Sequence, residues 1–153
     1  AGGKVSYDPN LRLKLWSLDK ARSIIHQAMS YCDIALPGLD DARLLTGLQE
    51  AEDIADFYLQ LGAEIVALTL GVAGTLIATP DRREQVPSYV VEAVDATAAG
   101  DTFDGAFLAE YLTGRDALAA ARYANAAAAL STTGYGAVAP MPKRAEVEAL
   151  LTA

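Results

Sequence analysis

The run Ile65-Val66-Ala67-Leu68-Thr69-Leu70 is the feature that most narrows what this chain can fold into. It is apolar almost throughout, ends on Gly71, and is too short for a helix. It also lacks the alternation of a strand wet on one face. Such a run reads as a buried central strand, and a sheet buried on both faces needs helices to cover it.

The flanking sequence supplies them. Lys4 to Tyr7 alternates polar and apolar residues and predicts a short strand, stopped at Asp8-Pro9-Asn10. Ser17 is placed to cap a helix running to about Ser30. Asp33 to Leu36 reads as a brief buried strand closed by Pro37-Gly38, and Asp40-Asp41 open a short helix ending near Gly47. Ile54, Phe57, Tyr58 and Leu61 are spaced as one helical face, with Gly62 as its stop. After the central strand, Gly71 to Gly74 predicts a turn, Thr75 to Thr79 a strand and Pro80 to Arg83 a polar turn; Gln85 to Val94 reads as irregular or extended. Helices are predicted over Ala99–Leu112, over an alanine-rich Asp116–Leu130 and over Lys143–Leu151, with a loop at Gly134–Pro140. Alternating strands and helices give an α/β fold with a mostly parallel sheet and helices on both faces.

Composition removes several function classes. With 153 residues, 52% hydrophobic and 21% charged, the chain can build a core and is not disordered. A net charge of −8 and no basic run beyond Arg82-Arg83 argue against nucleic acid. No apolar run reaches the roughly 18 residues of a membrane helix. The single cysteine, Cys32, allows no internal disulfide and fits a reducing, cytoplasmic setting. One His and one Cys cannot make a structural zinc site, and any Ser-His-Asp triad would have to use His26. His26 reads as an ordinary helix residue and Cys32 as a small buried hydrophobe.

The candidate for chemistry is Asp95-Ala96-Thr97-Ala98-Ala99-Gly100-Asp101. Small residues leading into a helix let an anion reach the free N–H groups there, and the helix dipole adds partial positive charge. Asp101, in the first turn, is placed either to take a proton from an attacking hydroxyl or simply to cap the helix. There is no Gly-x4-Gly-Lys-Ser/Thr phosphate loop.

The segment from Asp95 to Phe103 resembles the second signature of the ribokinase-like, or PfkB, family of carbohydrate kinases, Asp-Thr-x-Gly-Ala-Gly-Asp-x-Phe, with Ala96 and Ala98 where Thr and Gly are common. Asp8-Pro9-Asn10-Leu11-Arg12 is similar to the family's Asp-x-Asn-x-Arg segment, Thr69 to Gly74 to its nucleotide-lining turn, and Gly136-Ala137 with Pro140 to its closing loop. The resemblance implies a three-layer ribokinase-like fold present as a partial domain without its lid. Residues 1–153 would form a single domain, the carboxyl-terminal nucleotide half of the enzyme.

It also implies roles. Asp101 becomes the catalytic base, and the backbone of Ala98, Ala99, Gly100 and Asp101 the anion hole. Arg12, Asp101 and Tyr135 face the acceptor. Asn10, Thr69, Gly71, Gly74, Gly100, Asn125 and Gly136 surround ATP. Asp41 helps hold Mg²⁺, while Asp95 and Thr97 offer oxygens to a monovalent cation such as K⁺. Asp40-Asp41, with Leu15-Trp16-Ser17 after Arg12, is most like members acting on 2-keto-3-deoxygluconate, with ribose or fructose as the alternative acceptors. Family members are about twice this length and carry sugar-binding and lid elements ahead of this part. The chain is therefore expected to be a fragment or truncated product, with an exposed sheet edge, weak activity alone and homo-oligomers in the full-length form. A non-catalytic nucleotide-binding or interaction module derived from such a kinase is the competing class.

Overall fold

The computed structural model describes residues 2–114 and 116–153; the expected opening at Ala1 lies outside them. The chain divides into two compact units, one comprising the chain up to Gly71 with Leu76–Gln85, the other Val72–Thr75 with the chain from Val86 onward.

The strands are β1 (Ser6–Tyr7), β2 (Ile34–Ala35), β3 (Ile65–Thr69), β4 (Thr75–Thr79) and β5 (Arg82–Val86), ordered β1-β2-β3-β4-β5 in one sheet. β1, β2 and β3 pair in parallel, Ser6 opposite Ile34 and Ile34 opposite Ile65. Parallel neighbours need long crossovers. They are made by α1 (Leu18–Met29) and by α2 (Leu39–Thr46) with α3 (Ala51–Gln60). A 3-10 turn at Gly71–Ala73 and the two-residue turn Pro80-Asp81 then link β3 to β4 and β4 to β5, connections short enough only for antiparallel neighbours. The expected mostly parallel sheet with helices is what forms.

Local sequence explains these elements. The Ser17 hydroxyl caps α1 by accepting from the Lys20 N–H, and Ala21, Ile25 and Met29 bury one face at helical spacing. Gly47 ends α2 at φ 79, a left-handed turn that glycine enters without steric cost. In β3, Val66 and Leu68 join Leu76, Ala78, Met29, Ile54 and Tyr58 in the main core. Their alternates Ile65 and Ala67 are buried too, as an unbroken apolar run requires. Each large aliphatic side chain so buried contributes about 1.5–3 kcal/mol.

The prediction was wrong at β5. Arg82 to Val86 is a strand, where a polar turn to Arg83 and irregular or extended chain from Gln85 were expected. It closes the sheet as an edge strand, and edge strands carry charged side chains that discourage further pairing. Only Val86 is buried, so no apolar alternation marks the strand; Arg83 binds Asp56 of α3 and the Thr79 carbonyl. His26 and Cys32 are structural. The His26 ring meets Phe57 edge-on at 5.0 Å, and burial, then Arg22, lowers its pKa. Burial pushes the Cys32 thiol up.

The second unit holds α4 (Ala99–Leu112), α5 (Ala117–Ser131) and α6 (Arg144–Thr152). Asp116 caps α5, its carboxylate accepting from the Leu118 and Ala119 N–H groups at 3.0 and 3.1 Å. Ala120, Ala121, Ala124, Ala126 and Ala127 are buried, small side chains that let neighbouring helices approach closely. Phe103, Phe107 and Tyr111 stack along α4. Glu110, buried on α4, accepts from Arg144 of α6, whose guanidinium lies 5.2 Å from the Tyr123 ring centre. Among the described residues, no helix is long and apolar enough to cross a membrane.

Candidate functional site

The turn before α4 is built by Asp95. The backbone N–H groups of Val94 and Asp95 donate to the Thr132 carbonyl at 2.7 and 3.0 Å, fastening this segment to the end of α5. Asp95 Oδ1 then accepts from the Thr97 N–H at 2.9 Å and its hydroxyl at 2.7 Å, while Oδ2 accepts the Gly136 N–H at 2.9 Å. Those bonds, Gly136 first and Thr97 next, hold the Asp95 carboxyl below its ordinary range. Asp95 thereby ties the segment Thr97–Asp101 to the closing loop at Gly136, two stretches the sequence had related only by resemblance.

Ala98 follows at φ 60 and is the only non-glycine in the left-handed region among the described residues. α4 begins after it with no side-chain cap. The Ala99 N–H reaches the Ala96 carbonyl and the Thr102 N–H that of Ala98, whereas the N–H groups of Ala98, Gly100 and Asp101 have no acceptor among the described residues. The carboxylate of Asp101 is exposed in this first turn and makes no hydrogen bond or ion pair with any of the described residues. A capping role would have joined it to the helix backbone. The Asp101 side chain therefore does not cap α4.

Gly74 and Asn125 form a second arrangement in this unit. Gly74 is buried at φ 95, and a Cβ there would stand 2.0 Å from the Val86 carbonyl oxygen. Asn125, 4% exposed, accepts from the Thr75 hydroxyl at 2.8 Å and donates to the carbonyls of Val86 and Pro87 at 3.0 and 3.1 Å. Both amide protons are thus spent inside the fold. The Asn125 side chain closes the turn at Gly74-Thr75. Sequence reasoning missed Thr75, although a hydroxyl next to a turn glycine and an Asn inside an alanine helix were both visible. Tyr135, in the loop carrying Gly136, is 80% exposed.

Asn10, Arg12, Asp41, Thr69 and Gly71 belong to the first unit, and Gly74 and the remaining candidates to the second. Asn10 and Arg12 are exposed after β1. The Leu11 N–H between them donates to Asp41 Oδ2 at 2.9 Å, and Arg12 Nη1 donates to the Leu11 carbonyl at 2.9 Å. Thr69 ends β3 with its N–H on the Pro37 carbonyl, and Gly71 turns at φ 60. No group of three or more His, Cys, Asp or Glu gathers as a metal site among the described residues. Mg²⁺ keeps several waters and needs only one or two carboxylates beside phosphate oxygens, so Asp41 would suffice as its protein ligand. Asp95 Oδ1 already accepts two hydrogen bonds and Oδ2 one, so Oδ2 is the oxygen with a lone pair left for a monovalent cation.

Comparison with known proteins agrees with this architecture. The family model described as pfkB family carbohydrate kinase matches residues 1–144. A ribokinase of Staphylococcus aureus is 37% identical over 83% of this chain and 44% of its own length. Fructokinase-1 of Oryza sativa subsp. japonica is 36% identical over 99% of this chain and 50% of its own. The 2-dehydro-3-deoxygluconokinase of Bacillus subtilis is 33% identical over 100% of this chain and 48% of its own. The crystal structure of fructokinase from Vibrio cholerae O395 with fructose, ADP and calcium ion superposes with a TM-score of 0.91 at 33% identity, over 98% of this chain and 51% of that one. An E. coli protein described as a Ribokinase II, in complex with ATP and Mg²⁺, gives 0.90 at 32% identity over 99% and 49%. The chain spans about half the length of these relatives. On the family match and these identities, it belongs to the pfkB family of carbohydrate kinases.

Proposed function

We propose that this chain is the nucleotide-binding half of an ATP-dependent sugar kinase, which transfers the γ-phosphoryl group to a hydroxyl of a sugar or sugar acid. The observation that carries the reading is the unpartnered Asp101 carboxylate beside the free N–H groups of Ala98, Gly100 and Asp101. Asp101 takes the proton of the acceptor hydroxyl as its oxygen bonds to the γ-phosphorus, and the bond to the ADP oxygen breaks. The N–H groups and the α4 dipole stabilise the charge that develops, and Arg12 adds a cation. Such positioning and electrostatics are what phosphoryl transfer requires. Thr69, Gly71, Gly74 and Gly136 offer backbone to the nucleotide, and Asn10 and Tyr135 complete the polar surroundings. Mg²⁺, held partly by Asp41, would neutralise phosphate charge.

Within that class we assign 2-keto-3-deoxygluconate as acceptor, supported by Asp40-Asp41 and by a relative of that activity aligned along the whole chain. Ribose or fructose is the alternative, favoured by the S. aureus and rice relatives. We take the enzyme to be cytoplasmic and, full-length, a homo-oligomer. The test is calorimetric titration with ATP and Mg²⁺, then phosphorylation assays on the three acceptors. Saturable nucleotide binding is expected. Its absence would mean that this half does not bind nucleotide on its own.

A further inference from the structure

Leu11 is held at three points. Its side chain is 5% exposed and packs among Ala21, Ile25 and Leu45, with Trp16 and Leu18 around them. Its carbonyl accepts from Arg12, and its N–H donates to Asp41 at 2.9 Å. The last of these is unusual for a residue placed like Asp41. An acidic side chain in a first helical turn ordinarily serves its own helix. Here α2 begins at Gly38 without any side-chain cap, and Asp41 reaches across to another segment of chain. The carboxylate is half-buried, and the buried phenol of Tyr58 from α3 lies within reach of its charge. A hydrogen bond to an ionised acceptor in such surroundings is among the stronger ones.

The consequence lies on either side of Leu11. Asn10 and Arg12 project from a backbone whose middle residue is pinned through its side chain, carbonyl and N–H. We infer that Asp41 is a positioning residue for phosphoryl transfer, fixing the orientation of Asn10 and Arg12 through the Leu11 N–H. This rests on the function proposed above. The role requires an oxygen acceptor, not a negative charge. It is thus separable from metal binding, which requires the charge.

The experiment compares Asp41→Asn and Asp41→Ala with the parent in the expressed gene product, reading amide exchange at Leu11 and turnover with ATP. Asparagine keeps an oxygen for the N–H and loses the charge. In Asp41→Ala, Leu11 exchange should accelerate roughly ten- to hundredfold, while the amide of Ala67 in β3 stays protected and reports an intact core. At saturating Mg²⁺, which offsets the lost charge, turnover should fall in Asp41→Ala and be higher in Asp41→Asn, with Leu11 protection in Asp41→Asn restored to near that of the parent. If Asp41→Ala fails to fold, Asp41→Asn still decides, because the clamp predicts parental Leu11 protection in it. Equal Leu11 exchange in parent and Asp41→Ala, or an Asp41→Asn that has lost protection or is as inactive as Asp41→Ala, overturns the inference. A parent with no turnover and no ATP binding refutes the kinase reading instead, and the exchange data still decide whether the clamp exists.

Discussion

The hydroxyl of Thr75 donates to the side-chain oxygen of Asn125 at 2.8 Å, fifty positions away in sequence and out of reach of water. With the two bonds from the Asn125 amide to Val86 and Pro87, this joins the first residue of β4, the last of β5 and the middle of α5. Truncating Asn125 would leave the buried Thr75 hydroxyl and the buried Val86 carbonyl unpaired. Asn125→Ala should cost about 2–4 kcal/mol, since each orphaned buried group costs roughly 1–3 kcal/mol. Asn125→Asp should be no better, because a carboxylate cannot donate to two carbonyls. Urea unfolding measures both. A loss under about 0.5 kcal/mol, ordinary for a surface change, would show the network to be dispensable.

Gly74 is the tightest glycine in the described chain. An added methyl meets the backbone of Val86, Pro87 and Ser88 at 2.0 to 2.7 Å, and φ 95 is itself strained for alanine. Gly74→Ala should destabilise by about 3 kcal/mol, adding overpacking to the left-handed penalty. Gly71→Ala shares a positive φ but meets nothing within 4 Å, so it should cost only about 1–2 kcal/mol. Comparing their unfolding midpoints tests whether the close approach, rather than the turn angle alone, demands glycine.

Asp95 predicts a pH dependence. Its carboxyl is held below the usual range by Gly136 and Thr97, so it binds fewer protons folded than unfolded. The stabilisation is complete above the unfolded value near 3.9 and is lost as pH falls through the lower folded value. Asp95→Asn should therefore be less stable than the parent at neutral pH, with the difference narrowing below about pH 4. Unfolding midpoints at pH 7, 4 and 3 measure this. A difference constant across that range would mean the carboxylate charge does not hold the loop.

Much of this architecture was legible because it followed from local rules. The apolar run at Ile65 announced a buried strand, Ser17 and Gly47 marked helix ends, and the alanines of α5 announced close packing. β5 was hidden because an edge strand satisfies its polar residues by solvent and by partners such as Asp56, leaving no apolar period to read. In the site, Asp101 was legible from its place in the segment. Whether it capped α4 was not, since that depends on where one carboxylate points. The ties from Asp95 to Gly136, Asn125 to Thr75 and Asp41 to Leu11 were likewise hidden, each joining residues thirty to fifty positions apart. Ala98 shows the limit from the other side: a small residue fitted the motif, yet only the backbone reveals that it occupies a conformation usually left to glycine.

The central claim is that Asp101 is the base of a phosphoryl transfer, and turnover of the Asp101→Asn variant tests it most directly. In the expressed gene product, with ATP, Mg²⁺ and the best of the three acceptors, kcat should fall by about a hundredfold or more, the scale of a lost proton-transfer group. The fold should be retained, because this carboxylate makes no bond within it. Turnover equal to that of the parent would contradict the account.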